Sequence, residues 1–119
     1  MACAACSEQQ KTALDASNPI HCMAAFNVAA VIGRQAGNSK LQVESIARAL
    51  FESEKLGSRR AAADVKTETA KLAQDRLAPD GDAAQSLAVE CAKKQDADPA
   101  FAGRVPDLLV KAQQWEPAV

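Results

Sequence analysis

The chain has 119 residues with a net charge of −1, from 14 basic and 15 acidic side chains, and 48% of it is hydrophobic. That length fits one domain, and the balanced charge provides no basic surplus for a nucleic-acid partner. No run of about 18 apolar residues is present, so no membrane-spanning helix is expected.

Alanine dominates the hydrophobic fraction, Tyr is absent, and there are only three Phe and one Trp. Alanine is the strongest helix former, whereas a sheet calls for β-branched and aromatic side chains. The expected class is all-α. Residues 1–18 lack a sustained apolar period and read as a flexible leader, with a helical domain over 19–119. The start, Met1 to Cys6, has neither the charged opening nor the apolar stretch of a signal peptide, which taken literally indicates the cytoplasm.

Asn18-Pro19 is an N-cap followed by proline in the first turn, so helix one is expected from Pro19 to Gln35. Its apolar face is Ile20, Met23, Phe26 and Ala30, and Gly37 closes it. Ser39 and Gln42 fit a capping box for helix two, which runs to Leu56 before Gly57. Ser58 is placed to cap helix three, from Arg59 to Leu77, whose face of Val65, Thr69, Leu72 and Ala73, with Leu77 at its end, is the weakest of the set. Pro79-Asp80-Gly81 marks a turn, and Asp82 with Gln85 suggests a cap for helix four, ending near Gln95. A loop follows from Asp96 to Val105. Pro106 then opens a short last helix with Leu108, Leu109, Ala112 and Trp115. Short links make successive helices antiparallel. The expectation is an up-and-down four-helix bundle with a short extra C-terminal helix packed across it.

In that arrangement the start of helix one and the end of helix four share one end of the bundle. Cys22 and Cys91 fall there, each on an apolar face, and are expected to form a disulfide. A bond of that kind needs an oxidising compartment. Cys3-x-x-Cys6 with His21 and Cys22 offers four residues of zinc-ligating type. Adjacent residues on a helix diverge by about 100°, however, so His21 and Cys22 do not converge on one ion. No metal or cofactor is expected. His21 reads as a solvated residue of the first turn, and Glu52 and Glu54 as solubility charges on an exposed face.

Ala4-Ala5-Cys6-Ser7 resembles the end of a bacterial lipoprotein signal, in which small residues precede a lipidated cysteine. Cys3 repeats the arrangement one step earlier, and it occupies the place where that pattern usually has a large aliphatic residue. The resemblance implies a lipid on Cys6 or Cys3, membrane attachment through it, and a periplasmic or outer-membrane-attached protein.

No Ser-His-Asp set, Glu-x-x-His pair or Gly-rich phosphate loop is present, so an enzyme is not expected. The reading is a non-enzymatic envelope protein acting through protein contact, as an inhibitor, immunity-type or accessory factor. Trp115 and Phe101 are its candidate partner contacts. A second reading is a carrier with a small ligand or metal in a cavity lined by Phe26, Leu50, Phe51 and Leu72. A third is a cytosolic partner-binding bundle with free thiols.

Overall fold

Asn18 has extended backbone, and its side chain accepts a hydrogen bond from the Ile20 N–H, which starts the first helix at Pro19. From there the computed structural model is helical almost throughout; it describes residues 13–114. In chain order the elements are α1 (Pro19–Gln35), α2 (Ser39–Leu56), α3 (Ala62–Leu72) running into a π turn (Ala73–Leu77), α4 (Gly81–Asp96) and α5 (Pro99–Gln113). No strand occurs among the described residues.

The bounds of α1 and α2 are those expected from the sequence, but the residue that caps α2 is different. Asn38, and not Ser39, accepts from the Leu41 N–H. Asn38 also closes α1, because its own N–H donates to the Gly33 carbonyl while Gly37, at φ +70°, donates to Arg34. A left-handed glycine followed by this pair of bonds is the Schellman stop. Gly33 makes the tight corner possible. A Cβ there would lie 2.8 Å from the Gln42 backbone nitrogen.

Helix α3 starts three residues later than expected and has no side-chain cap. The Arg59 guanidinium instead folds back onto the Lys55 and Leu56 carbonyls at the end of α2. The core-facing residues of α3 are Val65, Thr69 and, past its end, Leu77. Four-residue steps drift by about 40° around an α-helix. The wider π turn, closed by the Ala78 N–H on the Ala73 carbonyl, brings Leu77 back to the buried line. Helix α4 is capped by Asp80, which accepts from Ala83, so the cap lies within the turn signature and not at Asp82.

The largest departure is α5. Asp98 caps a full 15-residue helix with Pro99 in its first turn, and Pro106 lies inside it. Phe101, Leu108 and Ala112 are buried along one side, while Pro106 and Ala102, whose carbonyl loses its donor, face solvent. Water can satisfy that carbonyl, so the proline does not end the helix.

Packing centres on α1, which contacts α2, α3, the π turn and α4, and α5 lies on α2. Helices α2 and α3 are joined by a turn yet do not pack along each other. Two apolar clusters result. One joins α1, the π turn and α4 around Cys22, Phe26, Leu77, Leu87 and Cys91. The other joins α2 and α5 around Ile46, Phe51, Phe101 and Leu108, with Ala30 reaching in from α1. The described chain measures 51 × 33 × 27 Å.

Candidate functional site

Helices α2 and α4 both pack on α1 without extended packing on each other, which leaves a groove between them. It encloses about 480 Å³. Ala25, Val28 and Ala29 of α1 form its floor. Leu41, Glu44 and Ser45 form the α2 wall, and Ala84, Gln85, Ala88 and Val89 the α4 wall. The surface is mostly apolar and rich in alanine. Three larger side chains stand exposed at its rim: Ile32 at 50%, Leu41 at 37% and Val89 at 46%. Among the described residues Glu44 has no ion-pair partner. The groove therefore offers apolar anchor points beside one unneutralised acid.

A polar bridge closes one end. Arg48 Nη1 donates to Gln95 Oε1 at 3.1 Å and to Asp96 Oδ1 at 3.2 Å. Gln95 is fully buried, and its Nε2 donates to the Glu52 carboxylate at 2.7 Å and to the Arg48 carbonyl at 3.0 Å. Lys55 Nζ lies 3.4 Å from the same carboxylate. Glu52 is thus a buried, paired group and not the solubility charge expected from the sequence. The Arg48 guanidinium also sits 5.1 Å above the Phe101 ring, which packs edge-on against Phe51. Arg48 is held from both sides, so the width of the groove is fixed at this end.

Glu54 is exposed, as expected from the sequence, and takes part in a surface cluster that ties α5 to α2. Arg104 Nη2 lies 2.5 Å and Lys111 Nζ 3.7 Å from its carboxylate. The hydrogen bond from Arg104 is the main reason its carboxyl titrates below the ordinary carboxylate range.

A second hollow, about 810 Å³, lies among the start of α1, the end of α2 and α3. Arg60, Glu68, Lys71 and Asp75 give it charges of both signs. His21 borders it but is buried, with Nδ1 accepting from the Asp15 N–H at 2.9 Å. It is therefore not the solvated histidine expected from the sequence. Burial is the main cause that holds its imidazole below the ordinary value of 6.5; Asp15 opposes the shift and Arg76 reinforces it. Among the described residues no three of His, Cys, Asp or Glu gather as a metal site would need.

The other sequence-derived candidates divide. Cys22 and Cys91 are brought together, with sulfurs 2.21 Å apart, at disulfide distance. Phe101 is buried in the second cluster, so its ring is packed against Phe51 and does not offer an exposed contact. Trp115, Cys3 and Cys6 lie outside the described residues. The four residues expected to line a ligand cavity do not share one. Phe26 and Leu72 belong to the first cluster, and Leu50 and Phe51 to the second. The rim residues were not singled out from the sequence. The available signal was Ile32 and Val89, large apolar side chains off the buried faces of their helices.

No helix among the described residues is long and apolar enough to cross a membrane. In comparisons with known proteins, no family model matches the chain, and no curated protein or solved structure matches it.

Proposed function

We propose that this is a non-enzymatic helical protein of the bacterial cell envelope that works by protein contact, taking up an amphipathic helix of a partner in the groove between α2 and α4. The observation that carries the reading is the exposed apolar rim of Ile32, Leu41 and Val89 along an alanine-lined channel. Helix-in-groove recognition needs an apolar trough for anchors three and four residues apart, and small wall residues let a backbone come close. The unpaired Glu44 favours a partner helix with a basic flank.

The finer architecture fits the same reading. We take α1, α2, α3 and α4 as an up-and-down set opened on one side, with α5 laid along α2. The vacant position between α2 and α4 is the one a partner helix would fill. The sulfur pair supports an oxidising compartment, and the lipoprotein-like Ala4-Ala5-Cys6 supports attachment to the envelope. The runner-up is a small-ligand carrier, favoured by a groove volume within the usual range for such sites.

The test is an NMR titration with a model amphipathic peptide that carries a leucine face and a lysine flank. The methyls of Ile32, Leu41 and Val89 should shift and saturate, and Val89→Lys, at an exposed position, should weaken binding at least tenfold. Unmoved rim methyls, or equal binding by Val89→Lys, would overturn the reading. Uptake of an apolar dye in place of the peptide would replace it with the carrier. Alkylation and mass measurement with and without reductant, on protein from its native host, test the compartment. A Cys22–Cys91 link supports the envelope, and four alkylated thiols support the cytosolic bundle.

A further inference from the structure

Residues 13–18 cross the end of the first cluster in front of the sulfur pair. Leu14 and Ala16 pack against that cluster, and the Ala16 carbonyl oxygen lies 3.1 Å from Cys22 Sγ. Under this strap Cys22 is 1% and Cys91 0% exposed. The strap is shaped by its own turn, in which the Ser17 N–H donates to Asp15 Oδ1 at 2.8 Å and the Asn18 N–H to the Asp15 carbonyl at 3.0 Å. Two ties hold it down. Lys94 Nζ of α4 reaches Ser17 Oγ at 2.6 Å, and the Asp15 N–H donates to His21 Nδ1 at 2.9 Å.

We propose that this strap is a proton-operated cover over Cys22 and Cys91, and that His21 is its latch. Nδ1 accepts the Asp15 N–H only while it carries no proton. Protonation turns it into a donor facing a donor, so the Asp15 N–H loses its acceptor. The charged groups around the imidazole are Asp15 on the strap, Arg76 on the π turn, and Arg60, Glu68, Lys71 and Asp75 around the hollow it borders; Lys94 stands at Ser17. Of these side-chain types only imidazole ordinarily changes charge between pH 5 and 8.

The direction follows from burial. The folded-state value of His21 is lowered from 6.5. The tie therefore contributes fully above that unfolded value and is lost as pH falls through the folded one. The cover is shut near neutrality and released by mild acid. This inference stands apart from the groove, because neither strap nor latch contributes to it.

The experiment compares wild type, His21→Asn and His21→Phe by amide hydrogen exchange, with protection normalised for the intrinsic pH dependence. Asparagine keeps an acceptor that does not titrate; phenylalanine has none. The wild-type Asp15 amide should lose at least tenfold of its protection between pH 7.5 and 5, with a midpoint that coincides with the imidazole titration seen by NMR. His21→Asn should stay protected across the range, and His21→Phe should be unprotected at both ends.

A second readout uses a water-soluble phosphine. It takes up water and the disulfide and yields the phosphine oxide and two thiols. The ratio of wild-type to His21→Asn reduction rates should rise at least tenfold at pH 5. Flat wild-type protection, loss of protection in His21→Asn at the same pH, or a constant rate ratio would each overturn the proposal. If either variant fails to fold, the match between the wild-type imidazole and Asp15 midpoints decides alone.

Discussion

Gln95 shows how a neutral side chain makes a buried charge tolerable. Its amide fills the gap between α4 and α2 and donates to both the Glu52 carboxylate and the Arg48 carbonyl. Gln95→Leu keeps the volume but strands that carboxylate with Lys55, and should cost about 2 kcal/mol in denaturant unfolding. Adding Glu52→Leu should return most of the loss, since two apolar side chains leave nothing unsatisfied. Thr69 is the opposite case. Its hydroxyl is buried without a hydrogen-bond partner. Thr69→Val should therefore raise stability by about 1 kcal/mol, seen as a higher Tm. Gln95 was not legible in the sequence, because burial of a polar group depends on which helix arrives opposite it, whereas Thr69 falls on the expected apolar face of helix three, four residues after Val65. Cys22 and Cys91 were legible, since each lies on an apolar face near a predicted helix end.

At the scale of elements, α1 and α2 were readable because Asn18-Pro19, Gly37 and Gly57 punctuate the chain locally. Helix α5 was not. Pro106 reads as a start, and only the alignment of Phe101 with Leu108 and Ala112 against α2 makes the whole segment one helix. Tertiary burial overrides the local signal here. Proline inside a helix costs about 3 kcal/mol relative to alanine, less where solvent serves the orphaned carbonyl. Pro106→Ala should then stabilise the protein by about 1 to 2 kcal/mol and slow amide exchange across the middle of α5. The groove was illegible for a related reason. Sequence periodicity shows which face of a helix is buried, but not that two helices flanking a third stand apart.

At the scale of the molecule, the two clusters divide the work. The sulfur pair closes a loop with a sequence separation of 69. In the chain-entropy model such a link contributes about 4 kcal/mol, which matters for a core rich in alanine. Cys22→Ser with Cys91→Ser should lower stability by about that amount. Amide protection should fall first in α4 and the π turn, while the Phe51–Phe101 cluster is retained longer; a uniform loss would mean that the chain opens as one unit. The corner at Asn38 has a different consequence. One side chain and its backbone amide finish α1 and begin α2, so no slack exists between the floor of the groove and its first wall. The corner behaves as a set square. An inserted residue would undo both joints at once and splay the wall carrying Leu41 and Glu44. The spacing open to the helix proposed for the groove would thus be dictated by a three-residue bend outside the groove itself.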